Sequence, residues 1–462
     1  MKVSDKIYIN LDQEKIDSRV IDILTYENPE YFQKMNMGIT VRGVPKKIQT
    51  YQIKDRQMEI FRGEALKIKP FFLTPYTAEF YHQDHPVSIQ YINNDFPLDK
   101  HQEGAVAAMV QYRQGVIHAV TSAGKSLIIC KAAAEIGQRT LIIVHRKVLV
   151  EQLLEDINKY IRNEKGEPIK VGLIGSGKSS IGDITIAIDK SLSKHLSTYS
   201  QEFGTVILDE CHLAPAATML SLLNNINSKK RFGLSGTLRR KDQKEFLIFS
   251  TFGPVIHTIN KEELLELGRV VPVEAKILES ETMFDWDHVV EALTEQGERN
   301  PTMKARHLQE KTIANDPRRN DMIIDQVKRL YDTGQKTIIL CRYVEPCTKL
   351  KNALETRFGI EAGIITGKDS KEALESYSRM KHGDLKVIFA TIGCVSTGVS
   401  ISDLDNIVLI SPMFTNELLL KQIVGRLMRT AKGKTHGTLY YVYDQNIFPN
   451  RKLRNFLKII NE

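Results

Sequence analysis

Two stretches of this chain could cradle a phosphate. Residues 119–126 read AVTSAGKS and residues 172–179 read GLIGSGKS; the second fits the pattern of Gly, any four residues, then Gly-Lys-Ser, while the first begins with Ala119. A phosphate loop needs a strand to deliver it and a helix after it, because the helix N-terminal N–H groups and dipole face the anion. That requirement favours the imperfect match. After Ser126, LIICKAAAEIGQR is rich in alanine and free of proline, which predicts a helix ending near Gly137, and TLIIVHR then reads as a buried strand. GVIHAV, residues 115–120, is the incoming strand. After Ser179 only SIGD precedes the β-branched run ITIAI, so the perfect match is expected to be a strand followed by a turn. Ala119 is tolerable where the backbone needs no positive φ. Lys125 would then reach the terminal phosphates of ATP, Ser126 would hold Mg²⁺, and Thr121, Ser122, Ala123 and Gly124 would supply the loop.

A second set of groups follows 84 residues after Lys125, where TVILDECH reads as a strand ending in Asp209 and Glu210. Carboxylates at the carboxyl edge of a parallel sheet stand where ligands bind in open α/β folds. Asp209 is expected to bind Mg²⁺ through water, and Glu210 to orient and deprotonate an attacking water. A solvated acid pair is the bland alternative, and the phosphate loop upstream argues against it.

With Lys125, Asp209, Glu210, Cys211 and His212 in order, the chain resembles a superfamily 2 helicase of the DExH type. Ser235, Gly236 and Thr237 are similar to the family's Ser-Ala-Thr motif, which links ATP state to nucleic-acid grip; His212 would share that coupling. QIVGRLMR, residues 422–429, resembles its last motif, which implies that Arg426 and Arg429 act as arginine fingers and that Gln422 helps place the water. Arg at i and i+3 would share one helix face. LDKHQ resembles the segment whose glutamine reads adenine; Asp99 and His101 depart from it, so only Gln102 is carried over. The resemblance further implies nucleic-acid contacts at His145, Arg146, Lys190, Arg342 and Thr391, and a close approach to the nucleotide at Gly398. The loop TLRRKDQKEF, residues 237–246, is a basic candidate for contact near the point of strand separation.

These groups need elements to hold them. Alternating strand and helix patterns predict two α/β units, and the resemblance makes them two RecA-like parallel-sheet motor domains in tandem behind a small N-terminal α+β accessory domain. The expected boundaries are 1–95 for the accessory domain, 96–255 for the first motor domain, 256–335 for a hinge with the lead-in strand and helices of the second, and 336–462 for its sheet. In the hinge, Asn260 and Glu263 would cap a helix that Gly268 stops. Residues 34–69 mix basic with aromatic side chains, a composition that suits a duplex backbone or unpaired bases, and equally a packed core. The size and position of residues 1–95 resemble the small N-terminal domain of phage branch-migration DNA helicases of the UvsW type.

Composition limits the classes. The 462 residues carry a formal net charge of +8, which points weakly to a polyanionic partner. No apolar run approaches the ~20 residues of a membrane helix, the start of the chain lacks the apolar core of a secretion signal, and the five cysteines form no Cys-x-x-Cys pair. The expectation is a cytoplasmic monomer, in the host cytoplasm if phage-encoded, using ATP and Mg²⁺, with single-stranded and branched DNA as partner. Single-strand-binding and recombination proteins are further expected partners, and no membrane is. The function expected is ATP-dependent unwinding, re-annealing or branch migration, moving 3′ to 5′. An RNA helicase, a double-stranded DNA translocase and a non-stepping ATP-gated clamp are the alternatives.

Overall fold

The computed structural model describes the chain except residues 93, 94, 121, 176, 241, 367–370, 396–402, 411–416 and 462, and the side chains of 148, 395, 418 and 461. Thr121 and Gly398 therefore lie outside the described residues. Contacts divide the chain into two compact units, Met1–Lys261 and Glu262–Glu462.

The first unit is built on an eight-stranded sheet. Its order is Lys178–Ser179, Gly172–Gly175, Ile184–Ile188, Thr140–Val144, Thr205–Asp209, Lys230–Ser235, Gln114–Ala119 and Val255–Ile259. All neighbours are parallel except the first pair. The inner strands are nearly unbroken runs of buried Val, Ile and Leu, as expected where helices cover both faces. Val255–Ile259 pairs with Gln114–Ala119, so the first sheet extends past the expected boundary at 255. A β-branched VIHTI run suits an edge strand better than a hinge. Within GLIGSGKS, Gly172–Gly175 and Lys178–Ser179 pair as antiparallel strands, with Ile174 opposite Ser179 and Gly175 opposite Lys178, and the next element is the strand Ile184–Ile188.

The N-terminal residues form a five-stranded sheet of their own, in the order Tyr51–Lys54, Gln57–Ile60, Ile7–Asn10, Lys2–Val3, Glu79–Phe80. It has a separate core of Val3, Ile7, Ile9, Val20, Leu24, Met58, Ile60 and Ile68. Yet this sheet belongs to the same compact unit as the first parallel sheet. Buried arginines join them. Arg62 donates to the carbonyls of Ser4, Ser228 and Lys229, and Arg231 to those of Asp5 and Ile226. Buried guanidinium groups need such acceptors, which fixes the two sheets against each other.

The second unit carries a six-stranded parallel sheet: Val273–Ser280, Gly437–Asp444, Asn406–Leu409, Thr337–Cys341, Val387–Thr391, Gly363–Ile365. The lead-in strand pairs with Gly437–Asp444 over eight residues, and the helices Trp286–Glu295, Pro301–Asn315 and Pro317–Asp332 follow it. Arg319 and Asp444, both buried, close an ion pair at 2.7 Å that ties the last of these helices to the carboxyl end of the strand Gly437–Asp444.

Candidate active site

Three loops leave the carboxyl edge of adjacent strands in the first unit. Lys230–Ser235 lies between Gln114–Ala119 and Thr205–Asp209, with Ser235 level with His118 and Leu234 level with Asp209. The phosphate loop, the acid pair and the Ser-Gly-Thr segment therefore emerge side by side.

Ala119 is a buried member of its strand and does not take a positive φ. The left-handed positions come later, at Ser122 with φ 74° and Gly124 with φ 73°. Ser122 bears some strain there, of the kind found at ligand-binding turns. The helix Lys125–Ile136 starts directly after Gly124 and ends at Gly137 with φ 64°. Gln102 braces the turn. Its Oε1 accepts from the Asp99 backbone N–H at 3.0 Å, its Nε2 donates to the Ala123 carbonyl at 3.1 Å, and a Cβ on Gly124 would collide with it. The side chain is only 5% exposed, so here it supports the loop and caps its own helix instead of standing open to a base edge.

Lys125 points its ammonium at the acid pair, with Nζ 3.7 Å from Glu210 Oε1. Glu210 takes φ 57°, and the turn Cys211–Leu213 follows. On its other side, His212 Nδ1 lies 3.2 Å from Glu210 Oε2 and 3.0 Å from Ser235 Oγ. The Ser235 hydroxyl donates to the Thr237 carbonyl at 2.8 Å. Its one proton is thereby used, so His212 Nδ1–H is the donor toward Glu210 and Ser235. Desolvation raises the Glu210 carboxyl, but the Lys125 charge and the His212 hydrogen bond outweigh it and hold the group below the usual carboxylate range. Asp209 goes the other way. Desolvation and then the Glu210 charge push it up, with Lys125 opposing. Two adjacent carboxyls driven apart in this manner can take separate roles.

Asp209 fits a cation, since a carboxylate raised by desolvation and a like charge is relieved by one. With the Ser126 hydroxyl it offers hard oxygen donors of the type Mg²⁺ prefers. Among the described residues no group of three or more His, Cys, Asp and Glu is placed to hold a metal ion. Two protein oxygens would thus share the ion with phosphates and water, the usual arrangement for Mg²⁺ with a nucleotide.

Two ties escaped the sequence reading. His118 Nε2 donates to the Gly236 carbonyl at 3.3 Å, linking the strand before the phosphate loop to the Ser-Gly-Thr turn. Arg240 donates to the His212 carbonyl and grips Asp242 with two bonds of 2.8 and 2.7 Å. The basic run 237–246 was the only signal, and it suggested a nucleic-acid contact.

The other expected residues divide. Arg146 begins the helix Lys147–Tyr160, and Lys190 is exposed just after the strand Ile184–Ile188. Arg342 is exposed and paired with Glu310. His145 is not offered to a nucleic acid: both ring nitrogens are buried and lack a hydrogen-bond partner among the described residues. Burial first, then Arg146, pulls its pKa down to about 4 against the Glu210 charge. Thr391 is buried too, with its hydroxyl donating to Cys394 Sγ. Gln422 and Arg426 lie on the helix Glu417–Leu427, but Arg429 lies beyond its end, bridged to Val270. The shared helix face expected for the two arginines is therefore absent. The chain leaves the helix because Met428 gives its carbonyl to the Val271 N–H at 2.7 Å.

The family model "Type III restriction enzyme, res subunit" matches residues 95–240, and "Helicase conserved C-terminal domain" matches residues 319–431. The chain is 26% identical over 325 residues to the probable helicase D10 of Escherichia phage T5, covering 69% of this chain. It is 24% identical over 359 residues to the ATP-dependent DNA helicase uvsW of Enterobacteria phage T4, covering 74% of this chain. The chain is a superfamily 2 helicase. It spans about two thirds of the length of these relatives, 65% and 68%. A solved structure of S. cerevisiae Dbp5 bound to RNA and ADP BeF3 matches with a TM-score of 0.54 at 13% identity, covering 78% of this helicase and 87% of that chain. At that identity the likeness concerns the fold alone, and it makes both parallel sheets RecA-like.

Proposed function

We propose that this helicase hydrolyses ATP to move along DNA and remodels branched DNA by unwinding, re-annealing and branch migration. The observation that carries the ATP reading is the convergence of Lys125 and Glu210, 3.7 Å apart, at the start of the helix Lys125–Ile136. Lys125 and the loop N–H groups bind the phosphates. Ser126 and Asp209 hold Mg²⁺, which supplies charge neutralisation at the phosphates when bound. Glu210, kept ionised by Lys125 and His212, takes a proton from the attacking water. Arg426 and Arg429, with Gln422, are the candidates to meet the phosphoryl group when the second unit engages the nucleotide; that assignment rests on the motif they match.

Departure of the terminal phosphate would alter the hold of Lys125 on Glu210, and the change would pass through His212 to Ser235 and Thr237 and through Arg240 to the segment after them. Such an exchange between two sets of contacts is how a chemical step becomes a domain movement. The DNA substrate is favoured by the T4 relative, whose name is that of an ATP-dependent DNA helicase. Movement 3′ to 5′ and action on forks and junctions follow from the phage branch-migration resemblance. Arg146, Lys190 and Arg342 remain candidates to touch the strand.

The test is ATP hydrolysis with no nucleic acid, single-stranded DNA, duplex DNA, a four-way junction and matched RNA. Stimulation by branched DNA, with strand re-pairing on a gel, is expected. Stimulation by RNA alone would keep the motor and overturn the substrate.

A further inference from the structure

Between Glu30 and Asp55 the chain has no acidic residue, while Lys34, Arg42, Lys46, Lys47 and Lys54 all fall within it. Its base is firm. Strands Thr25–Glu27 and Lys47–Gln49 pair as a two-stranded ribbon, and the Asn28 side chain donates to the Pro45 carbonyl at 2.8 Å, closing the excursion 28–46. Asn28 also caps the helix Pro29–Asn36, none of whose residues is buried. At the end of that helix and just past it the apolar side chains face water: Met35 is 49% exposed, Met37 72% and Ile39 51%. A soluble domain has no folding reason to gather three exposed large apolar side chains in five residues beside an acid-free basic run. Arg42, Lys46, Lys47 and Lys54 are exposed and make no ion pair among the described residues, so no protein carboxylate offsets them.

The base of the excursion is seated on the segment that follows the Ser-Gly-Thr turn. Lys244 pairs with Glu30 at 2.9 Å, and Tyr26 stacks on Phe246 with ring centroids 4.2 Å apart. The same segment carries Arg240, bound to the His212 carbonyl beside Glu210. A load on the excursion is thereby led toward the ATP-hydrolysing loops by side-chain contacts.

We propose that residues 28–54 are a finger that grips a DNA duplex where it opens. Arg42, Lys46, Lys47 and Lys54 lie along backbone phosphates, and Met35, Met37 and Ile39 pack on the base pair exposed at the branch. Charge complementarity selects a polyanion over a protein surface. The apolar tip selects a branch over a continuous duplex, because a large apolar side chain gains from packing on an unstacked base step. This assignment rests on the DNA reading above and names the part of the chain that recognises the branch.

The test measures binding without nucleotide to a labelled fork, a linear duplex of the same length and a single strand, over a range of salt. Two variants are compared with the parent: R42A/K46A/K47A, and M35S/M37S/I39S. These side chains are exposed or at the helix end, so unchanged melting curves are expected and are checked first. The charge variant should bind fork and duplex with a salt slope lower by about 3, close to 0.9 for each phosphate no longer neutralised. The tip variant should lose ~10-fold or more of the preference for fork over linear duplex, the factor for withdrawing about one such side chain from an apolar environment. Single-strand-stimulated hydrolysis should stay near the parent level in both. Parent-like fork binding by both variants would overturn the finger, as would a parent that binds no DNA. Variant-sensitive fork binding in a protein whose hydrolysis ignores DNA would keep the finger and overturn the motor reading instead.

Discussion

Replacing Glu210 by Gln keeps the shape of the side chain and removes one charge. In the nucleotide-free chain that charge faces Lys125 at 3.7 Å and His212 at 3.2 Å. At this separation the Coulomb attraction to Lys125 is about 4 kcal/mol for an effective dielectric near 20 and about 1 kcal/mol in water. The two side chains are only 15% and 25% exposed, so the desolvation of both charges offsets most of that attraction and leaves a net ~1 kcal/mol. Lys125 must leave Glu210, at least in part, to reach phosphate. Glu210→Gln is therefore expected to bind ATP as well as the parent or up to ~5-fold more tightly. Turnover should fall by ~10²–10⁴, the usual worth of a positioned general base. Equilibrium binding of a fluorescent ATP analogue and single-turnover hydrolysis at saturating ATP separate the two effects. Turnover within ~3-fold of the parent would refute the role as base. Loss of nucleotide binding would show instead that the carboxylate is needed to build the pocket.

Lys125→Ala should abolish hydrolysis, whereas Lys178→Ala, in the antiparallel strand pair, should leave it intact; equal loss in both, read by phosphate release, would reverse the choice of loop. Arg429→Ala should lower turnover by ~10³-fold, the low end for an arginine finger, and an unchanged rate would remove it from that role. Arg319→Ala strands the buried Asp444 carboxylate and should cost the second unit ~3–5 kcal/mol in urea unfolding, with a loss under ~1 kcal/mol counting against the pair as a structural tie. Asp209→Asn should raise the melting temperature of the nucleotide-free protein at neutral pH while ending Mg²⁺-dependent turnover. A carboxyl raised in the folded state stabilises below its unfolded pKa and loses that contribution as pH rises through the folded value. The advantage of Asn should accordingly shrink as pH falls through that window, and a pH-independent difference would refute the cause.

The sequence by itself determined the elements that frame the candidate site. An alanine-rich run after Ser126 predicted the helix that follows 119–126 and none after the perfect pattern at 172–179, because a helix needs local propensity and the second stretch lacked it. Strand periodicity located both parallel sheets, since buried parallel strands are written as continuous apolar runs. What depended on partners far along the chain was not legible. Arg429 leaves its helix because Val270 and Val271, more than 150 residues earlier, compete for the backbone. The His145 ring nitrogens lose access to solvent beside Glu210 and His212, a neighbourhood made only when the strands Thr140–Val144 and Thr205–Asp209 pair. Gln102 became a brace because Ala123 and Gly124 come within its reach. The N-terminal sheet joined the first unit through Arg62 and Arg231; Arg62 lies in the basic stretch that suits nucleic acid, yet both guanidinium groups found backbone carbonyls. Local propensity and periodicity act over a few residues and can be read directly. The satisfaction of buried polar groups is a long-range condition, and only the tertiary structure decides which partner meets it.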